Sequence, residues 1–421
     1  MTDAIDFLYS LERLGMKFGL ENIAALTAEL GHPERTFKSI VIAGTNGKGS
    51  VTVMAETALR AGGGRVARYT SPHLVRLEER FVIDGREVET SDLRDALGTV
   101  RDAVDSLIRR GGLEALPTFF EVATAAAFEL FRRAAVEIAV LEVGLGGRLD
   151  ATNVVMPIAT AITSIDFDHQ AQLGNTIESI AVEKAGIVKP GVPLICGPVP
   201  EAAARVIREI CETQGAALIR ARDVVQILPR NDDAIDVRTR IRSLDRVTLA
   251  LRGKHQRDNA SVAVALLDEL ARHDMGIPDD AVREGLETAR WPARLERFVV
   301  RGVDILLDAA HNPAGARALA SHLEEIGWSR ITLLFGAMHD KDVAGMLEAV
   351  GHQCETIVCT TAPNPRALSA AELARVARRF APTVESIEDP SMALERALAL
   401  HRPVVAAGSI FLIGPLRDIL R

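Results

Sequence analysis

Aromatic side chains are scarce in this chain, at 4% with two tryptophans and two tyrosines. No apolar run approaches the roughly 20 residues that a bilayer-spanning helix needs. The start, Met1-Thr2-Asp3-Ala4-Ile5-Asp6, lacks the basic and then apolar pattern of a secretory signal. Neither a membrane partner nor secretion is expected, and a cytoplasmic location is. An excess of basic charge is missing too: the net charge is −8, and no basic stripe or aromatic-interleaved Arg/Lys run is present, which argues against a nucleic-acid partner. The cysteines are four, Cys196, Cys211, Cys354 and Cys359, each on or near an apolar run, so reduced, packed thiols are expected rather than a disulfide framework. With so few aromatics, Tyr69, Phe119, Phe120 and Trp291 near glycine-rich turns invite suspicion of ligand contact, although core packing accounts for such residues more often.

What is present is a long α/β pattern. At 421 residues and 48% apolar content the chain can bury large cores in two domains or more. Apolar stripes at Ile5, Leu8, Leu11 and Leu14 predict a helix over Thr2 to Leu14, and Glu21 to Leu30 repeat it. The organising stretch is Ile40-Val41-Ile42-Ala43-Gly44-Thr45-Asn46-Gly47-Lys48-Gly49-Ser50, followed by a helical run from Val51 to Ala61. A β-branched strand stops at a glycine-rich turn carrying one lysine, and a helix begins at once. Backbone N–H groups, the positive helix end and Lys48 converge there, which is how a triphosphate is gripped. The spacing departs from the common nucleotide loop, since Gly44 stands only two residues from Gly47-Lys48.

Further polar clusters follow apolar strands. Arg65 to Thr70 delivers Thr70-Ser71-Pro72-His73, and Asp84-Gly85 is the dipeptide of a tight hairpin. Thr118 and Glu121 form a capping box ahead of the helix Val122 to Phe131, which explains both without a ligand. Ile138 to Val143 carries Glu142 into Gly144-Leu145-Gly146-Gly147-Arg148-Leu149-Asp150, and a carboxylate at the carboxyl end of a buried strand is where open α/β sheets bind ligands. Ile158 to Ile165 ends in Asp166-Phe167-Asp168-His169. Lys184 in Glu183-Lys184-Ala185-Gly186 has the plain alternative of pairing with Glu183 or Glu178 on a solvated face. Short strands are expected at Pro193 to Cys196, Ala217 to Ile219, Val224 to Leu228 and Val247 to Leu251. A helix over Ser261 to Ala271 would leave Asp258 and Asn259 as its caps. From Trp291-Pro292-Ala293-Arg294-Leu295-Glu296 onward strands and helices alternate, predicting a second domain with a parallel, Rossmann-like sheet.

The loop Gly-Thr-Asn-Gly-Lys-Gly-Ser resembles that of the folylpolyglutamate synthase and dihydrofolate synthase family, relatives of the Mur ligases. So do Thr70-Ser71-Pro72-His73, the Glu142 to Asn153 block, Asp168-His169 with Leu173-Gly174, Glu183 to Gly186, Gly253 to Ala260, Trp291 to Glu296, Asp308 to Pro313, Gly336 to Asp342 and Gly408 to Gly414. Ala293 and Ala309 stand where the family has glycine. The resemblance implies an N-terminal P-loop ATPase domain of Mur-ligase type, residues 1–292, and a C-terminal Rossmann-like ligase domain, residues 293–421, with the active site in the cleft between them.

The resemblance also implies roles. Gly44, Thr45, Asn46, Gly47, Lys48, Gly49 and Ser50 would hold the phosphates, with Gln256, Asn259, Arg294 and Asp308 on the rest of the nucleotide. Ser71, Glu142 and His169 would bind two Mg2+, with Lys184 as a further ligand if carbamylated, since a desolvated neutral amine can take up CO2. Thr118, Phe120, Glu121, Arg148, Asp150, His311 and Ser409 would contact the acceptor or the glutamate, and Lys48, Lys184 and His311 would serve catalysis. The implied activity is ATP-dependent addition of L-glutamate to dihydropteroate, to a reduced folate, or to both, through an acyl phosphate. A monovalent cation is a further candidate cofactor, and a monomer is expected. Only 43 residues precede Gly44, too few for the separate substrate domain of a Mur ligase. A nucleotide-hydrolysing switch or transport subunit is the rival, and it needs neither His311-Asn312 nor a metal-directed Lys184.

Overall fold

The computed structural model describes residues 3–15, 19–113, 115–273 and 275–421. Thr2 and residues 16–18 of the Gly15-to-Gly19 stretch lie outside the described residues. The chain forms two compact units. Unit 1 comprises residues 1–166, 175–250 and 258–289, and unit 2 comprises residues 167–174, 251–257 and 290–421.

Among the described residues, unit 1 holds an eight-stranded sheet: β1 (Lys38–Ala43), β2 (Val66–Tyr69), β3 (Phe81–Ile83), β4 (Arg86–Glu87), β5 (Ile138–Glu142), β6 (Ala159–Ile162), β7 (Leu194–Cys196) and β8 (Leu218–Arg220). Their spatial order is β4-β3-β2-β5-β1-β6-β7-β8. The strands from β2 to β8 run parallel, and β3 and β4 close one edge as an antiparallel hairpin. Its turn takes Asp84 and Gly85 at φ 49° and 76°, as the Asp-Gly pair predicts. Ile40 to Ala43 and Ile138 to Leu141 are fully buried, because strands covered by helices on both faces bury every side chain, not alternate ones. Parallel register stacks the carboxyl ends of β2, β5, β1 and β6 side by side, and so their polar termini share one edge.

A second, three-stranded antiparallel sheet follows, β9 (Gln226–Pro229), β10 (Ile235–Arg238) and β11 (Ser243–Val247). Here the expectations are corrected. The segment around Val224 is a short helix, Ala221–Val224, before β9 begins, and the strand expected at Val247 to Leu251 lies earlier, ending at Val247. β10 has too few apolar side chains to stand out, and its Asp236 is held by Arg230 at 2.7 and 2.8 Å.

Unit 2 carries β12 (Glu296–Val300), β13 (Val303–Leu307), β14 (Ile331–Phe335), β15 (Cys354–Cys359), β16 (Thr383–Ser386) and β17 (Val404–Ala407), in the order β12-β13-β17-β14-β15-β16. Five of these strands are parallel as expected. β12 is added antiparallel at the edge, and its mixed Glu-Arg-Phe-Val-Val sequence, half exposed, hid it. The core packs Leu306, Leu333, Phe335, Ile357 and Val405 against helices that supply Leu319, Leu323, Leu347 and Leu373. All four cysteines are free and buried. No helix among the described residues is long and apolar enough to cross a membrane.

Candidate active site

The glycine-rich turn leaves β1 and enters the helix Lys48–Ala61. Two of its glycines are demanded by geometry. Gly44 has φ 150°, and a Cβ there would lie 1.9 Å from Thr163 Oγ1; Gly47 has φ 86°, and a Cβ would lie 2.3 Å from Asn259 Oδ1. The end of β6 braces the turn. Thr45 N donates to Ser164 O at 2.8 Å, Asn46 N to Ser164 Oγ at 3.0 Å, and the Thr163 and Ser164 hydroxyls donate to Asn46 O at 2.6 and 3.0 Å. Thr45 Oγ1 is tied to the Asp166 backbone, at 3.1 Å as donor and 3.0 Å as acceptor. A loop fixed on this scale presents its amides without reorganising.

Two ammonium groups converge on one atom of that turn. Lys48 Nζ donates to Gly44 O at 3.0 Å, and Lys184 Nζ donates to the same oxygen at 2.9 Å. Like charges so close repel, and either a polyanion between them or conversion of the Lys184 amine to a carbamate would relieve the repulsion. Lys184 is 5% exposed, so it is not the solvated lysine of the plain reading. Arg148 takes Glu183 instead, at 2.7 Å, and Arg205 approaches Glu178 at 3.8 Å.

Next along the edge, Glu142 closes β5, is 5% exposed, and its Oε2 accepts from Ser71 N at 3.4 Å. The Ser71 hydroxyl is buried without a hydrogen-bond partner. A buried hydroxyl beside a carboxylate is an oxygen donor set that suits Mg2+. Among the described residues no group of three His, Cys, Asp or Glu could by itself hold a metal, so hydroxyl, phosphate or water oxygens would have to complete the shell.

Several expected contact residues also serve the fold. Thr118 and Glu121 make the predicted capping box, with Glu121 N donating to Thr118 Oγ1 at 3.2 Å and Thr118 N to Glu121 Oε2 at 2.7 Å. Asp150 has both oxygens engaged: Oδ2 accepts from Gly144 N and Leu145 N at 3.0 Å each, and Oδ1 from Thr152 N at 3.0 Å and Thr152 Oγ1 at 2.6 Å. Burial pushes its carboxyl up despite these bonds. Phe120 packs so that a Cβ on Gly144 would meet its ring at 2.8 Å. Nearby, Tyr69 is driven up to about 12 by burial, and Arg80 Nε donates to His73 Nδ1 at 2.8 Å. Burial and that guanidinium bring His73 down to about 4.

Asn259 is not a cap. The helix begins at His255, four residues before it, and Asn259 sits in its second turn against Gly47.

In unit 2, Gln256 is 1% exposed with Nε2 3.2 Å from His255 Nε2. Asp308 directly follows β13 and spends both oxygens on backbone, Leu295 N at 3.0 Å and Ala310 N at 2.8 Å. It thereby holds the Trp291-to-Glu296 turn that carries Arg294. Glu296 is taken by Arg417 at 2.7 Å and Ala293 N at 2.8 Å. Ala293, one of the two departures from glycine, sits at φ 59°, in the left-handed region; Ala309 does not. Ser409 is 2% exposed and caps the last helix, Ile410–Ile419, accepting from Phe411 N at 3.2 Å.

Asp168, in the turn after β6, has no role in the resemblance, yet four groups gather on its carboxylate. Asp168 Oδ1 accepts from Lys341 Nζ at 2.5 Å and from His169 N at 2.9 Å; Oδ2 accepts from Asn312 Nδ2 at 3.0 Å and lies 3.5 Å from His311 Nε2. Burial pushes this carboxyl up, but His311, Lys341 and His169 outweigh it and hold it far below the usual range. Burial, with Lys341 and His311 adding to it, brings His169 down to about 4 despite Asp168. The other missed residues are Thr163 and Ser164. Their signal was a polar pair directly after an apolar strand.

Residues 293–411 match the family model described as Mur ligase, glutamate ligase domain. The chain is 38% identical to a probable bifunctional folylpolyglutamate synthase/dihydropteroate synthase of Halobacterium salinarum, over 99% of this chain and 51% of that protein. It thus spans about half the length of that relative. It is 33% identical to the dihydrofolate synthase/folylpolyglutamate synthase of Bacillus subtilis, over 100% of this chain and 99% of that one. A folylpolyglutamate synthase of Mycobacterium tuberculosis, solved with ADP and AMPPCP, superposes with a TM-score of 0.91 at 33% identity, covering 99% of both chains. A bifunctional folylpolyglutamate synthase/dihydrofolate synthase with Mn, AMPPNP and L-glutamate bound superposes at 0.86 and 30% identity, covering 100% of this chain and 98% of that one.

Proposed function

Since the chain belongs to the folylpolyglutamate synthase and dihydrofolate synthase family of Mur-type ligases, we propose that it is an ATP-dependent carboxylate–amine ligase adding L-glutamate to dihydropteroate, to a reduced folate, or to both. A carboxylate oxygen of the acceptor attacks the γ-phosphorus of ATP, the bond to ADP breaks, and an acyl phosphate forms. The amine of glutamate then attacks the acyl carbon, the amine loses a proton, and inorganic phosphate leaves. Phosphorylation is needed because oxide is a far worse leaving group than phosphate.

The observation that carries this reading is the pair Lys48 and Lys184 on the carbonyl of Gly44, at the mouth of an amide-lined turn. In the proposal the turn, residues 44–50, binds the triphosphate and Lys48 follows the charge that shifts during transfer. Ser71 and Glu142 hold a Mg2+, a choice supported by the unpartnered Ser71 hydroxyl. Such an ion, when bound, neutralises phosphoryl oxygens. Asn259, Gln256, Arg294 and Asp308 are assigned to the nucleotide. Thr118, Phe120, Glu121, Arg148 and Asp150 are assigned to the acceptor, and His311 and Ser409 to glutamate. A second ion on His169, a carbamate on Lys184, a monovalent cation, the division at residue 292, a cytoplasmic location and a monomeric state belong to the same proposal.

The test incubates purified protein with ATP, Mg2+ and labelled glutamate, with either dihydropteroate or a reduced folate, and measures ADP and product mass. Glutamate incorporation dependent on the acceptor is expected. ATP hydrolysis indifferent to glutamate and to both acceptors would favour the nucleotide-hydrolysing rival and overturn the proposal.

A further inference from the structure

Residues 167–174 follow β6 in the chain yet belong to unit 2. Within unit 2 the Asp168 carboxylate gathers groups from three separate segments: His169 N from its own turn, His311 and Asn312 from the turn after β13, and Lys341 from the loop after β14. Asp168 and Lys341 each leave only 8% of the side chain exposed. Lys341 Nζ also lies 3.4 Å from His169 Nε2. His311 is fixed from its other side, its Nδ1 2.9 Å from Ala309 O.

Burying a carboxylate costs several kcal/mol unless partners compensate, and a well-packed apolar set of the same volume often stabilises a fold as well or better. Stability alone therefore gives little reason for an ion pair at this place. Two of the groups it gathers are, by contrast, ones the ligase reading uses: His311 Nε2 lies at Oδ2, and the His169 backbone N and the Lys341 ammonium lie at Oδ1, with Lys341 Nζ also beside His169 Nε2.

We propose that Asp168 is a positioning residue for the ligation reaction: its single buried carboxylate sets the places of the Lys341 ammonium and the His311 imidazole relative to each other. The inference rests on the ligase reading above. Asp168 itself meets no substrate. It acts through Lys341 and His311, and its loss lets the ammonium and the imidazole drift apart.

The experiment is a double-mutant cycle on the full chain, read as steady-state ligation with glutamate varied, alongside ADP affinity and the thermal midpoint. Asp168→Asn keeps an acceptor for His169 N but cannot neutralise Lys341. It is expected to lower kcat/KM for glutamate by about 100-fold, the scale of a misplacement near 1 Å, while ADP affinity stays within about twofold, because Thr163, Ser164 and Asp166 brace the phosphate loop. In a Lys341→Met background the same change is expected to cost less than about threefold, since its partner is gone. Equal losses in both backgrounds, or wild-type kinetics for Asp168→Asn, overturn the proposal. Should Asp168→Asn fail to fold, Asp168→Glu keeps the charge and moves it by one methylene. Slow ligation at an unchanged thermal midpoint supports positioning, and wild-type kinetics overturn it. No glutamate incorporation by the wild-type protein overturns the ligase reading and this inference together, whereas normal ligation by wild type and Asp168→Asn alike overturns this inference only.

Discussion

Lys184 Nζ donates to the carbonyl oxygen of Gly44 at 2.9 Å, tying the helix Ile177–Ala185 to the first residue of the phosphate loop. Lys48 uses the same oxygen from the loop's own helix at 3.0 Å. A carbonyl with two lone pairs can accept both bonds. Two ammonium groups on one oxygen repel, and an anion between them or a carbamate on Lys184 would relieve that repulsion.

Lys48→Ala is expected to abolish ligation, by about 1,000-fold or more, the scale of losing a transition-state charge contact in a dry site. Lys48 is half-buried and donates to Gly44 O and Thr45 O in its own loop, and the thermal midpoint is measured alongside activity to separate lost ligation from lost folding. Normal ligation by this variant would remove phosphate gripping by the loop from the mechanism.

Lys184→Arg keeps a positive donor near Gly44 but cannot form a carbamate. If the amine works as a carbamate, the wild-type protein depends on dissolved bicarbonate and the arginine variant is slow at every bicarbonate concentration. Activity of the wild type that is flat after exhaustive CO2 removal would leave Lys184 as a cation beside the phosphates.

Ser71→Ala separates a metal role from a structural one by sign. Its hydroxyl is buried and unpartnered, so deleting it should leave the metal-free protein as stable or up to about 1 kcal/mol more stable. The Mg2+ concentration for half-maximal ADP formation should rise about tenfold. Destabilisation with an unchanged Mg2+ response would make Ser71 structural.

Ala293→Gly is expected to leave stability within about 1 kcal/mol of the wild type, because relief of backbone strain and loss of a buried methyl oppose each other. Holding a non-glycine residue in the left-handed region costs roughly 1–2 kcal/mol, against roughly 0.5–1 kcal/mol for the extra freedom of glycine in the unfolded chain. Ala293 is fully buried at φ 59°. Relief of about 0–1.5 kcal/mol is offset by the roughly 0.8 kcal/mol lost with the buried methyl, and urea unfolding measures the balance.

His73 gives the pH prediction. Its folded value is lowered to about 4, so between about 4 and the ordinary histidine value the unfolded chain binds a proton that the folded chain refuses. Stability is therefore intact above that window and lost as pH falls through it. His73→Gln should make the slope of unfolding free energy shallower there, by at most about 1.4 kcal/mol per pH unit, the limit for one proton. An unchanged slope would show that His73 is protonated in the fold.

Much of the fold was legible because parallel strands buried on both faces must be apolar throughout. Ile40 to Ala43, Ile138 to Val143 and Ile331 to Phe335 announce themselves, as does the capping box at Thr118. The strands that escaped, β10 and β12, are short and mixed in composition, held by pairing and by ion pairs such as Arg230 to Asp236. The start of the helix at His255 was misplaced because Asp258 and Asn259 are good caps by residue type, and packing against Gly47 overrode that preference.

By itself the sequence determined the glycine turn, its lysine and the carboxylate at the end of β5, because backbone geometry at Gly44 and Gly47 and strand burial leave those residue types few alternatives. Only the tertiary structure decided which polar groups meet. That Lys184 reaches Gly44 across 140 residues, and that Asp168 rather than its neighbours collects Lys341, Asn312 and His311, depends on which distant segments the fold of each unit brings together. Spacing along the chain carries no record of those meetings.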